Sequence, residues 1–146
     1  MNREVMFSSN SDEWSTPDAV FEELNNEFNF DLDAAANDEN HKCDRYFTKE
    51  QDGLKQNWGG NKVFVNPPYS KISEWVKKAF YESKNDNTVI VMLIPSRTDT
   101  KYFHNYIYQR TEIRFIKGRL KFSNHNNSAP FPSMVVIWRG ANIKEK

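Results

Sequence analysis

Val63-Phe64-Val65-Asn66-Pro67-Pro68-Tyr69 is a short apolar run that stops at two consecutive prolines. Its first three residues have the length and β-branched character of a buried strand. Two prolines in a row cannot extend that strand or join a regular ladder, so the chain turns where the strand ends. Pro68 has a fixed φ and no N–H, which holds the Pro67 carbonyl in one direction without a local backbone donor. The Asn66 side chain supplies a second acceptor, and the Tyr69 ring lies close by. Two fixed acceptors and a flat aromatic surface at the carboxyl end of a strand suit an amino group attached to a planar ring. The competing reading is an ordinary loop, since Asn and Pro are both common in turns.

The flanking sequence alternates strands with helices. Upstream, Thr16 and Pro17 read as the N-cap and first position of a helix, with Asp18, Glu22 and Glu23 at its positive end. Val20, Phe21, Leu24 and Phe28 form its apolar face. Phe30-Asp31-Leu32-Asp33 alternates like a strand and runs into Ala34-Ala35-Ala36, small residues that let the backbone approach a ligand or a neighbouring element. Tyr46-Phe47-Thr48 resembles a short strand, Asp52-Gly53-Leu54 a turn, and Trp58 an anchor before Gly59-Gly60. Downstream, Ile72, Trp75, Val76, Ala79 and Phe80 mark an amphipathic helix that Asn85-Asp86-Asn87 breaks. Residues 88–94 are the most hydrophobic strand, expected to be buried on both faces. Tyr102, Phe103, Tyr106 and Ile107 suggest another helix, and Glu112–Ile116 and Met134–Trp138 two more strands. Between those strands lie the basic, aromatic Gly118-Arg119-Leu120-Lys121-Phe122 and a polar loop ending Ala129-Pro130-Phe131-Pro132-Ser133.

A chain of 146 residues is most simply one domain, and 11 Phe, 6 Tyr and 4 Trp supply a real core. Its longest apolar run, Val89–Ile94, is too short to span a bilayer, and no basic-then-apolar leader opens the sequence, so membrane insertion and export are not expected. Cys43 is alone, which excludes an internal disulfide and fits a reducing cytosol. One Cys beside His41 falls short of a zinc site, so no metal is expected. His41, His104 and His125 show no ligand or triad spacing. The net charge is zero but uneven: residues 1–60 carry 5 basic and 14 acidic side chains, residues 101–146 carry 9 and 2. Such a split suits halves that meet different partners, with nucleic acid belonging to the C-terminal part.

Strands alternating with helices imply an α/β sheet with helices on both faces. Ligands collect at the carboxyl ends of strands in such sheets, so Asp33, Asn66 and Pro95-Ser96-Arg97 fall along one edge.

With these pieces in order, Trp14 to Trp138 resembles the amino-methyltransferases that use S-adenosylmethionine, and specifically the phage-type (Dam-like) N6-adenine DNA methyltransferases. Trp14-Ser15-Thr16-Pro17 looks like the helix start that precedes their cofactor site, and Phe30–Ala36 like their first cofactor strand and loop. Asn66-Pro67-Pro68-Tyr69 looks like their catalytic motif, while 118–122 and 129–133 resemble the phage group in particular. The resemblance implies a compact Rossmann-like methyltransferase sheet, mostly parallel with an antiparallel C-terminal strand, with helices on both faces and some trimmed. It implies one methyltransferase domain over 14–139, after a flexible arm (1–13) and before a tail (140–146). A DNA partner and a cytoplasmic setting, in a bacterial cell or a phage-infected host, follow from it.

For the cofactor, the resemblance implies Asp33 near the methionine ammonium, Thr16 at the carboxylate and Asp52 at the adenine amine, with Pro17, Ala34 and Ala35 alongside. Trp14 either covers the cofactor or packs as a hydrophobic staple. The usual glycine-rich loop is replaced by Ala34-Ala35-Ala36-Asn37, which leaves Asp38, Glu39, Asp44 and Glu50 as candidates for the ribose. Asn66 and the Pro67 carbonyl would draw the adenine amine toward a tetrahedral form, and Tyr69 and Phe131 would wall a flipped-out base. Arg97, Arg119, Lys121 and Arg139 are candidate phosphate contacts, and the Asn124–Asn127 loop a reader of base edges. Two other classes compete. One is a protein glutamine-amide methyltransferase, which shares the Asn-Pro-Pro-Tyr motif. The other is a non-catalytic DNA-binding module.

Overall fold

The computed structural model describes residues 12–144. The arm expected over 1–13 therefore lies outside the described residues except for Asp12 and Glu13, and the tail expected over 140–146 lies outside them beyond Lys144.

One five-stranded sheet organises the chain, in the order β1-β2-β3-β5-β4. Its strands are β1 (Leu32–Asp33), β2 (Lys62–Val65), β3 (Val89–Pro95), β4 (Glu112–Phe115) and β5 (Ser133–Arg139). The β1–β2 and β2–β3 pairs are parallel, while β3–β5 and β4–β5 are antiparallel. The last strand is antiparallel as expected, but with two pairs of each kind the sheet is mixed rather than mostly parallel.

Among the described residues, an α-helix covers each face of the sheet. Ile90, Met92 and Ile94 of β3 pack with Ile72, Trp75, Val76 and Ala79 of α2 (Ile72–Glu82). Val89, Val91 and Leu93 face the other way, onto Phe21, Leu24 and Phe28 of α1 (Asp18–Phe28). The period-two alternation along β3 thus feeds two separate cores, which is why every residue of that strand is buried.

Three local expectations change. α1 starts at Asp18, with Pro17 at the cap position and no side chain capping it; the Pro17 carbonyl accepts from the N–H groups of Val20 and Phe21 at 3.1 Å each. Thr16 is therefore not the N-cap: its hydroxyl is turned inward and accepts from Asn66 Nδ2 at 2.8 Å. The strand expected at 46–48 is one parallel bridge between Asp33 and Tyr46, because β1 itself is only two residues long. The helix expected around Tyr102–Ile107 is a π-helical segment, Phe103–Ile107, closed by a bond from Tyr108 N–H to the Phe103 carbonyl.

The link from β1 to β2 contains no α-helix among the described residues, only a 3-10 turn at Gly53–Lys55. Trp58 is fully buried and its indole N–H donates to the Gly53 carbonyl at 2.9 Å, so it anchors this link as expected. Gly53 has no room for a side chain: a Cβ there would lie 2.2 Å from the Ala34 carbonyl oxygen and 2.8 Å from the Trp75 ring. That close approach keeps the end of β1 against α2. Gly53→Ala should cost about 1–3 kcal/mol by overpacking, read as a lower urea midpoint; an unchanged midpoint would show that the Ala34 loop yields freely.

Candidate active site

The three parallel strands deliver their carboxyl ends to one edge of the sheet. Asp33 closes β1, Asn66 follows β2 and Ser96 follows β3. Because Pro95 pairs with Ser133 and Phe115 with Met134, the loop from 116 to 132 returns to that same edge. A cavity of about 340 Å³ opens there, within the usual range of small-ligand sites. Trp14, Thr16, Asp33, Ala34, Ala35, Asn66, Pro67 and Pro68 all line it.

Pro17, Tyr69 and Asp52 do not line this cavity. Asp52 instead turns its carboxylate on its own loop, accepting from Leu54 N–H at 3.1 Å. The ribose candidates Asp38, Glu39, Asp44 and Glu50 are exposed and also lie off the cavity wall. Their place is taken by Asn37, Asn40, Lys42, Phe47, Thr48 and Lys49. Nothing in a polar stretch without periodicity singles these out; they reach the cavity because the 37–49 loop pairs with the end of β1. Asp33 N–H donates to the Arg45 carbonyl, Phe47 N–H to the Asp33 carbonyl and Ala36 N–H to the Phe47 carbonyl.

Asp33 is the buried charge of the site, only 3% exposed. Its carboxyl accepts from Lys42 N–H at 2.9 Å and Ala35 N–H at 3.4 Å. No ion pair among the described residues reaches it, since the Lys42 ammonium goes to Asp18 instead. Burial outweighs the two N–H donors and pushes its pKa up to about 6. A buried carboxylate on a cavity wall, with no ion-pair partner among the described residues, is suited to receive a cationic ligand group.

Asn66 shows the clearest directionality. Its Nδ2 donates to Thr16 Oγ1 at 2.8 Å and also to the Trp14 carbonyl. Its Oδ1 is buried with no hydrogen-bond partner among the described residues. Beside it, the Trp14 indole is stacked on His125 with centroids 3.9 Å apart, and lies nearly parallel to Tyr69 at 6.0 Å. Phe131 meets Trp14 edge-on at 5.0 Å and Tyr69 at 5.5 Å. Trp14 is thus part of the cavity wall and of an aromatic box with Tyr69 and Phe131. The Tyr69 hydroxyl is buried without a partner, and burial pushes its pKa far above the ordinary phenol value, so it stays protonated.

Arg97, Arg119 and Lys121 are exposed, off the cavity, and in none of the ion pairs among the described residues. Arg139 is held by Glu112 at 2.6 Å. Asn124 is committed to the backbone: its Oδ1 accepts from Ser15 N–H and its Nδ2 donates to the Glu13 carbonyl, both at 2.9 Å. Cys43 is half-buried and its thiol is pushed up to about 12 by burial, which leaves it protonated and unreactive. Among the described residues no cluster of His, Cys, Asp and Glu could hold a metal ion, and no helix is long and apolar enough to cross a membrane.

A mixed α/β sheet with a ligand-sized crevice at the carboxyl ends of its parallel strands is compatible with a methyltransferase-like fold. The family model described as DNA N-6-adenine-methyltransferase (Dam) matches residues 5–145, and the chain belongs to that family. A DNA N-6-adenine-methyltransferase of Haemophilus phage HP1 is 36% identical over 138 residues, covering 89% of this chain and 80% of the phage protein. A DNA N-6-adenine-methyltransferase of Escherichia phage T1 is 40% identical over 111 residues, covering 75% of this chain. The matched region is 46% of that T1 protein, so the chain spans about half of this relative's length.

The raised pKa of Asp33 has a consequence for stability. Between 3.8 and about 6 the folded chain keeps a proton that the unfolded chain has lost. The contribution of this group is therefore full below about pH 4 and is lost as pH rises through about 6. Relative to the parent, Asp33→Asn should gain about 2–3 kcal/mol between pH 4 and pH 7 in urea titrations. A difference that does not vary with pH would show that the carboxylate is better solvated than its burial implies.

Proposed function

We propose that this chain transfers a methyl group from S-adenosylmethionine to the N6 amine of adenine in DNA, acting on a base turned out of the duplex. The observation that carries this reading is the buried Oδ1 of Asn66, without a hydrogen-bond partner among the described residues, on a residue that lines the cavity. A buried acceptor without a donor costs free energy in the resting protein. That cost is recovered when an amine presents its hydrogen there.

The cavity fits the implied cofactor on its own terms. Asp33 is a buried acceptor for an ammonium group, Ala34 and Ala35 let the loop backbone approach a ligand, and Lys49 suits a carboxylate or hydroxyl groups. S-adenosylmethionine, when bound, supplies an electrophilic methyl group on a sulfonium. The remaining work falls to the chain. The adenine amine is a poor nucleophile because its lone pair is delocalised into the ring. Asn66 Oδ1 and the Pro67 carbonyl accept its two hydrogens, which favours a tetrahedral nitrogen and stabilises the positive charge that develops on it.

Tyr69 and Phe131 provide aromatic surfaces for the base, and the Trp14 indole already occupies part of that box. A base stacking on Tyr69 therefore uses its other face or takes the place of the indole. Arg97, Arg119 and Lys121, exposed on loops at the same edge, are the proposed phosphate contacts.

Asn66→Ala should leave binding of S-adenosylhomocysteine within about twofold while methyl incorporation into DNA falls roughly 10²–10³-fold. Titration calorimetry and tritiated-methyl transfer measure the two. Full turnover by the variant would remove Asn66 from the chemistry. Methyl transfer to a protein and not to DNA would favour the amide-methylating class. Absence of any thermal shift with S-adenosylmethionine would favour a non-catalytic DNA-binding module.

A further inference from the structure

The Asn66 side chain has two chemically different ends, and only one of them can serve as acceptor for an amine. Which end is left without a partner is decided by the segment Glu13–Thr16. The Trp14 carbonyl has no proton to donate, so only the amide nitrogen of Asn66 can face it. Thr16 Oγ1 takes the second hydrogen of the same nitrogen at 2.8 Å. With both hydrogens of Nδ2 committed on one side, Oδ1 is left on the other as a bare acceptor. Rotating the amide by half a turn would put its oxygen against the Trp14 carbonyl oxygen, two acceptors with no proton between them.

The segment is itself held in place from the C-terminal part of the chain. Asn124 bonds to it at both ends of its amide, to Ser15 N–H and to the Glu13 carbonyl at 2.9 Å each. Ser123 N–H donates to the Ser15 carbonyl at 2.9 Å, and the Ser123 hydroxyl to the Thr16 carbonyl at 3.3 Å. The His125 ring lies flat on Trp14. On the other side, Ser70 N–H donates to the Asp12 carboxylate at 2.6 Å, tying the segment to the turn after Tyr69.

We propose that Thr16 is a positioning residue for the reacting amide, and that Asn124 is the clasp that holds Thr16 and the Trp14 carbonyl in register with it. The inference rests on the proposed function for its consequence but not for its geometry. It gives Thr16 a task other than contact with the cofactor carboxylate, and Asn124 a task other than reading bases.

The test compares Thr16→Val, which keeps the shape and removes the hydroxyl, with Thr16→Ser, which keeps the hydroxyl. Thr16→Val should lower kcat about tenfold, the scale of one hydrogen bond, with the Kd for S-adenosylhomocysteine and the KM for DNA unchanged. Thr16→Ser should restore most of the loss. Asn124→Ala should also lower kcat without weakening DNA binding. The Asn66 side-chain amide, assigned in 15N spectra from its absence in Asn66→Ala, should exchange with solvent slowly in the parent and faster in Thr16→Val. Loss of cofactor affinity in Thr16→Val would make Thr16 a cofactor ligand and overturn the proposal, as would loss of DNA affinity in Asn124→Ala or unchanged kcat and exchange in Thr16→Val. If the parent transfers no methyl to DNA while the exchange difference persists, the proposed function fails and the positioning role stands.

Discussion

The Trp14 carbonyl can only accept, and it sits against the side chain of Asn66. From that single restriction the polarity of the site follows: nitrogen toward the N-terminal segment, oxygen away from it, buried and without a partner among the described residues. The fold is arranged to keep the two groups together. β2 is buried on both faces and ends at Val65, just before Asn66, and the prolines that follow prevent the strand from running on. The N-terminal segment is stitched to the loop around Asn124, which the order of β5 and β4 returns to the same sheet edge. Residues far apart in sequence thereby fix one amide rotamer.

Two opposite deficits lie on the wall of one cavity. Asp33 is a buried carboxylate whose hydrogen-bond donors among the described residues are backbone N–H groups, and its proton is held up to about pH 6. Asn66 is a buried acceptor with no donor among the described residues. Each is a cost to the resting fold, and each is removed by a ligand group of complementary character, a cation for the first and an amine hydrogen for the second. The N-terminal excess of acidic side chains is consistent with this arrangement, since the cavity is built largely from residues before 71. The basic excess beyond residue 100 leaves Arg119 and Lys121 exposed for a polyanion.

The parts legible in the sequence are those where burial imposes a pattern. β3 and β5 lie within a residue or so of the runs 88–94 and 134–138, and α2 buries Ile72, Trp75, Val76 and Ala79 as its spacing predicts. The Asn-Pro-Pro-Tyr corner is legible because proline dictates backbone behaviour locally. What was not legible depends on contacts between distant residues. Thr16-Pro17 reads as a cap and first turn, yet the hydroxyl has a better partner in Asn66, which no local pattern discloses. The wall formed by residues 37–49 is polar and aperiodic, and it becomes part of the site only through its pairing with Asp33. Asn124 looked like a reader of bases because it stands in a polar loop; its amide is instead engaged with the backbone of residues 13 and 15.

The proposed function requires one crevice, between Asp33 and Asn66, to bring methyl donor and base amine together. A crystal structure of the protein with S-adenosylhomocysteine and a short adenine-containing oligonucleotide is the decisive measurement. The cofactor's amino group is expected against the Asp33 carboxylate, and an extruded adenine with its N6 in hydrogen-bond contact with Asn66 Oδ1 and the Pro67 carbonyl. A cofactor bound elsewhere, or an adenine held with its amine away from residues 66–67, would contradict it.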